Sequence, residues 1–135
     1  HEVRAHLATA RVFAFPSVRE FGGGGVLEAM ALGLAPLVLD YGGPAELVPD
    51  GCGIVVPMGD RAAIIQSFGN VLEDLTNDPA KAHAMGMKAQ NHVRDHFTWD
   101  AKAREILKVY QWVLASRSTQ TAATAEPLSS WCAAR

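Results

Sequence analysis

The chain is short of cysteine, of clustered charge and of long apolar runs, and each shortage closes off a class of protein. Its two cysteines, Cys52 and Cys132, lie far apart with no cysteine at metal spacing beside them. That excludes a disulfide framework or a zinc knuckle and makes a reduced, cytoplasmic setting the expectation. Twelve lysines and arginines stand against fourteen aspartates and glutamates, for a net charge of −2. No basic cluster gathers them, so nucleic acid is not an expected partner. No run approaches the ~18 apolar residues of a membrane span, which leaves attachment to the cytoplasmic face of a membrane undetermined. His92 and His96 share the segment HVRDH with Asp95. A zinc site needs a third or fourth ligand, so two solvated helix histidines are the simpler reading and no metal is expected. Also missing is a G-x-G-x-x-G at a first strand-to-helix turn. The first residue is His1 rather than methionine, so an upstream portion is expected, and any leader would have gone with it.

What is present is a chain of 135 residues, 49% apolar, enough for one soluble globular domain or a piece of one. RVFAFPS (11–17), APLVLD (35–40) and GIVVP (53–57) are short, apolar runs ended by Pro, Asp or Gly, and they predict buried strands. VLEAMALG lies between the first two and predicts a helix ended by Gly33 in the left-handed conformation. AELV amounts to a helical turn. Three helices follow. Asp60 caps one to about Leu75, with Ala63, Ile64, Phe68, Val71, Leu72 and Leu75 at helical spacing. Asp78-Pro79 opens a second, to about His96. Thr98 opens a third over 100–115, whose stripe of Ala103, Ile106, Leu107, Tyr110, Val113 and Leu114 is expected to pack as core. From Ser116 the sequence is small and polar, and 116–135 reads as a disordered tail.

Strand, helix, strand, turn, strand is the rhythm of a parallel α/β sheet covered on both faces. Three strands are narrow for such a sheet and would leave long hydrophobic edges open. The expected fold is therefore the C-terminal part of a Rossmann-like parallel-sheet domain in 1–115, followed by C-terminal helices, with the rest of the sheet upstream.

The segment REFGGGGVLEAMALG raises the functional question. Four glycines, Gly22 to Gly25, sit between a strand and a helix, where open α/β sheets bind ligands. Each costs about 1 kcal/mol against alanine inside a helix. Bare N–H groups at a helix start attract anions, phosphate above all, and glycine lets a ligand approach the main chain. A plain turn that lets the helix pack against the sheet is the competing explanation. Glu28 is about one turn into the helix, and helical side chains lean towards the N-terminus. Beside a diphosphate it would be repelled, so it makes sense against neutral hydroxyls such as a ribose diol, through bonds worth about 1.5–3 kcal/mol. Glu20, in the preceding loop, would face another part of the same ligand. Taken singly, each glutamate also reads as a surface carboxylate. Gly42-Gly43 with Glu46 forms the next loop at the same edge, either a donor-contacting loop or a tight turn.

Taken jointly, FPSVREFGGGGVLEAMALGLAPLVLDYGGPAELVPDGCGIVVPMGD resembles the donor-binding segment of retaining GT-B glycosyltransferases of family four. The features that carry the resemblance are Glu20 and Glu28 with seven residues between, EAMALGLAPLV, the G-G-x-x-E loop Gly42 to Glu46, the D-G…G turn Asp50 to Gly53, and FTWD at 97–100. It covers residues 8 to 115. It implies that Glu28 binds the nucleotide ribose, and that the Gly22, Gly23, Gly24 and Gly25 backbone, continuing to Val26 and Leu27, meets the diphosphate and donor sugar. It further implies that Glu20 contacts the transferred sugar near the reacting centre. A nucleotide-diphosphate sugar is then the substrate, with no cofactor and no metal. The acceptor would bind a missing N-terminal domain, and the chain alone is expected to be inactive. The basic residues expected to steady the departing diphosphate lie upstream, and Arg19 does not match them. Two other readings stay open: a glycosyltransferase-like subunit that no longer catalyses, and a nucleotide-sugar epimerase on the same architecture. A dinucleotide-dependent oxidoreductase lacks its fingerprint here.

Overall fold

In the computed structural model, which describes residues 2–7 and 9–118, the elements run α1 (Glu2–Leu7), β1 (Val12–Phe15), α2 (Gly24–Ala31), β2 (Ala35–Leu39), α3 (Gly42–Glu46), β3 (Ile54–Val56), α4 (Arg61–Asn77), α5 (Pro79–His96) and α6 (Trp99–Ser118). The three strands form one parallel sheet in the order β1-β2-β3. Val12 to Phe15 pair with Ala35 to Val38, and Leu37 to Leu39 pair with Ile54 to Val56. All five residues of the central strand are buried, as a parallel strand covered on both faces requires.

One core cluster builds from this alternation. Leu37 and Leu39 are two apart on β2 and so share a face; they pack with Val56 of β3 and Phe68 of α4. Val12, Ile54, Ile64 and Val71 close around them, each partly buried. Burying a side chain such as Phe68 stabilises the fold by about 1.5–3 kcal/mol. Of the positions expected along α4, Phe68 and Leu75 are buried and Leu72 is 38% exposed.

The predicted helix ends are found with their capping bonds. Gly33, at φ +82°, follows the last turn of α2. Its N–H donates to the Met30 carbonyl at 2.9 Å and that of Leu34 to Ala29 at 3.1 Å, the paired bonds of a Schellman end. Gln90 of α5 donates its amide to the Ala31 carbonyl at 3.0 Å and satisfies one more. Asp60 accepts from the Ala63 N–H at 2.8 Å, Asp78 from Lys81 at 2.9 Å, and the Thr98 hydroxyl from Ala101 at 3.2 Å. Each such cap is worth about 1 kcal/mol.

Several boundaries differ from expectation. The strands are shorter by one to three residues, because ladder pairing stops before the apolar run does. α3, expected as the single turn AELV, begins at Gly42 rather than Ala45, so the glycine pair lies inside it. α1 went unpredicted, since six residues are too few to give a helical period. The last helix continues through 116–118; the remainder of the expected tail lies outside the described residues.

The chain forms two compact units that divide between Asp95 and His96. In the second, Lys102 lies 4.9 Å over the Phe97 ring and bridges to Glu105 at 3.0 Å. Ile106, Leu107, Tyr110 and Leu114 are all more than half exposed. The stripe expected to pack as core is a surface stripe here: helical spacing identifies an apolar face without saying what covers it.

Two helical glycines test this packing with opposite signs. Nothing lies within 4 Å of where a Cβ would stand at Gly69 of α4, whereas at Gly86 of α5 it would run into the Gly33 carbonyl oxygen and stand 3.3 Å from the Ala35 nitrogen. Gly69→Ala should raise stability by about 0.5–1 kcal/mol. Gly86→Ala should lower it by about 1–3 kcal/mol through overpacking. Urea unfolding of both variants measures the difference directly.

Candidate functional site

Because the strands are parallel, their carboxyl ends share one edge of the sheet, and the loops that leave them meet there. β1 ends at Phe15 and leads through 16–23 into α2; β2 ends at Leu39 and leads through 40–41 into α3; β3 ends at Val56 and leads through 57–60 into α4. Glu20 and the glycine run, at the end of β1, and the short helix Gly42–Glu46, after β2, therefore lie at adjoining strand ends. Sequence reading did not place 57–60 on this edge, although parallel pairing of β3 requires it.

The four glycines divide by local geometry. Gly23 is buried, takes φ +60° and caps α2 with no side-chain bond of its own. A Cβ there would stand 2.8 Å from Leu47 Cδ1 and 3.2 Å from Pro44 Cα. Its carbonyl accepts the N–H groups of Val26 at 2.9 Å and Leu27 at 3.2 Å. Gly22, Gly24 and Gly25 are exposed. A Cβ would meet nothing within 4 Å at Gly22 or Gly24, and only the Phe13 ring at 3.9 Å at Gly25. Packing thus demands glycine at Gly23 and places no demand on the other three.

The N–H groups divide as well. Glu20 turns its carboxylate back onto the loop, and one oxygen, Oε1, accepts from Gly22 and from Gly23, both at 3.2 Å. With Val26 and Leu27 bonded to Gly23, the main-chain donors without a partner among the described residues are those of Gly24 and Gly25. They begin a helix of eight residues with no acidic side chain in its first turn, so nothing on the helix itself neutralises the positive end of its dipole. Val26 is fully buried and offers no side chain to a ligand, while Leu27 is half-buried.

Glu28 is exposed, on the second turn of α2, and its carboxylate has no partner among the described residues. Glu46 is exposed at the end of α3. Gly42-Gly43 opens that turn, with Gly42 at φ +62°. The D-G…G turn has structural reasons for its glycines: Gly51 takes φ +78°, and a Cβ at Gly53 would stand within 2.6 Å of both Pro36 and Val48. Cys52, between them, is buried, and burial pushes its thiol up while Lys88 opposes the shift. It is a packed side chain and not an activated nucleophile.

A parallel α/β sheet whose carboxyl edge carries a glycine-rich helix start with two open amides, near two carboxylates, is an arrangement that nucleotide-binding α/β domains share. The chain belongs to the family described as Glycosyl transferases group 1, whose pattern matches residues 1–74. Alpha-maltose-1-phosphate synthase of Mycolicibacterium smegmatis is 34% identical over 118 residues, covering 85% of this chain and 30% of its own. D-inositol 3-phosphate glycosyltransferase of Kineococcus radiotolerans is 33% identical over 132 residues, covering 90% of this chain and 29% of its own. Among solved structures, sucrose-phosphate synthase from Thermosynechococcus elongatus superposes with a TM-score of 0.65 at 29% identity, over 82% of this chain and 27% of that one. The GT-B glycosyltransferase fold implied by the resemblance is the one found. The chain spans about 30% of the length of these two curated relatives.

The division among the glycines is measurable without any ligand. Gly23→Ala should cost at least about 1–2 kcal/mol, the penalty of a left-handed side chain, before any clash with Leu47 and Pro44 is added. Gly24→Ala should leave stability unchanged or raise it by up to about 1 kcal/mol. Paired denaturation curves check both.

Proposed function

We propose that the full-length protein transfers a sugar from a nucleoside-diphosphate donor to an acceptor hydroxyl. Retention of anomeric configuration and independence of metal ions are part of that reading. The observation that carries it is the pair of uncommitted amides at Gly24 and Gly25, on glycines that the fold does not need, beside a carboxylate without a partner. Membership of the glycosyl transferases group 1 family supports the same assignment.

In this mechanism the two amides and the helix dipole bind the diphosphate, where negative charge grows as the donor's anomeric carbon–oxygen bond breaks. Leu27 continues the same helix end over the buried Val26 and shapes its rim. Glu28 accepts from the ribose hydroxyls, and Glu20 orients the transferred sugar. The acceptor oxygen forms the new glycosidic bond on the same face, and its proton passes to the departing phosphate oxygen. The chain's carboxylates therefore position the donor and balance developing charge without forming a bond. Gly42, Gly43 and Glu46 belong to the neighbouring loop on the donor side. The acceptor site, and the cations that steady the leaving group, are assigned to parts of the full-length protein outside this chain. The free, buried Cys52 is in keeping with a reducing, cytoplasmic setting. No helix among the described residues is long and apolar enough to cross a membrane.

Kinetics of the full-length protein test these roles. Glu28→Ala should weaken nucleotide binding by about 10- to 150-fold, the worth of its charge-assisted bonds. Glu20→Ala should lower kcat with nucleotide affinity nearly kept. Product analysis with and without acceptor separates transfer from epimerisation. Nucleotide affinity insensitive to Glu28 would overturn the assignment.

A further inference from the structure

The second glycine pair has a structural partner that the donor reading does not use. Gly43 is half-buried, and a Cβ there would run into the carbonyl oxygen of Phe21, stand 3.1 Å from its carbonyl carbon and lie 3.6 Å from Gly22 Cα. At Gly42 it would be 3.3 Å from the carbonyl oxygen of Glu20, and Gly23 faces Pro44 in return. Main chain 20–23 thus lies directly on main chain 42–44, with side chains missing from both sides of the contact. The obstacles are backbone atoms, which do not swing aside as a side chain tip does.

Little else fixes this loop. The Phe21 side chain is 98% exposed and Val18 is 43% exposed. Gly22 has no side chain to anchor. Yet this loop aims the Gly22 and Gly23 amides at Glu20 Oε1. The second oxygen, Oε2, has no partner among the described residues.

We propose that Gly43 is a positioning residue for Glu20. It seats the Phe21 carbonyl, which holds the Gly22 and Gly23 amides on one carboxylate oxygen and leaves the other for the sugar. Gly42-Gly43 then acts through the loop it supports rather than by touching the donor. The consequence for turnover rests on the donor reading above; the seat itself does not.

The experiment has a ligand-free arm and a kinetic arm. In the full-length protein, amide hydrogen exchange at Gly22 and Gly23 is followed by NMR without ligand, with the amides of Leu37 to Leu39 reporting that the sheet is intact. Glu20→Ala should speed exchange at both glycines by about tenfold, as expected for loss of a charged acceptor. Gly43→Ala should reproduce that acceleration with Glu20 in place, and Gly69→Ala should not. If Gly43→Ala does not fold, Gly42→Asn replaces it, since asparagine tolerates the left-handed backbone and its Cβ would stand 3.3 Å from the Glu20 carbonyl oxygen at the same crossing. Unchanged exchange at Gly22 and Gly23 in a folded variant overturns the proposal, whatever the protein binds.

In the full-length protein, Gly43→Ala should lower kcat with donor KM nearly constant. Combined with Glu20→Ala, it should add no further loss. A raised donor KM, or losses that add, would mean direct donor contact and overturns the proposal. Accelerated exchange together with a Glu20→Ala enzyme of normal turnover would support the seat and overturn the donor role of Glu20 instead.

Discussion

Backbone resting on backbone, at the crossing of 20–23 with 42–44, is the constraint on which the candidate site depends. A side chain at Gly23 or Gly43 would fill the space that lets the two loops touch, and one at Gly42 would crowd it. Without that contact the loop after β1 would carry Glu20 on an unsupported chain, because its own apolar residues face solvent. The parallel sheet supplies the coarse arrangement by delivering both loops to one edge. Glycine supplies the fine one.

The same economy explains how four consecutive glycines serve a helix start. Gly22 and Gly23 spend their amides on the Glu20 carboxylate, and the Gly23 carbonyl takes those of Val26 and Leu27. Gly24 and Gly25 are left with open N–H groups and no side chain over them. A carboxylate already on the first pair makes that half of the loop a poor place for a second anion, since like charges at hydrogen-bonding distance repel strongly in a partly buried setting. In the proposed function, phosphate accordingly goes to the second pair, and Glu28, a turn further in, is left for neutral hydroxyls.

Much of this was legible in the sequence where local chemistry decides the outcome. Gly33, Asp60, Asp78 and Thr98 each terminate a helix through bonds within a few residues, and each was found in that role. The parallel sheet followed from three apolar runs separated by a helix and a turn. What could not be read depends on contacts distant in sequence. Gly43 looks like any turn glycine until Phe21 is found above it, and Gly86 like a weak point in a helix until Gly33 is found beside it. Nothing in the spacing of Ile106, Leu107, Tyr110 and Leu114 distinguishes a buried stripe from an exposed one. The glutamate pair was recognised as a pair, but the tie between Glu20 and the glycine amides is tertiary detail that a one-dimensional pattern does not contain.

In the proposed function the open amides of Gly24 and Gly25 receive the diphosphate of a sugar nucleotide. A crystal structure of the full-length protein with its nucleoside diphosphate tests it most directly. Phosphate oxygens should lie at hydrogen-bonding distance from both nitrogens, with the Glu28 carboxylate on the ribose hydroxyls. A diphosphate bound away from this helix start, with Glu28 turned to solvent, would contradict it.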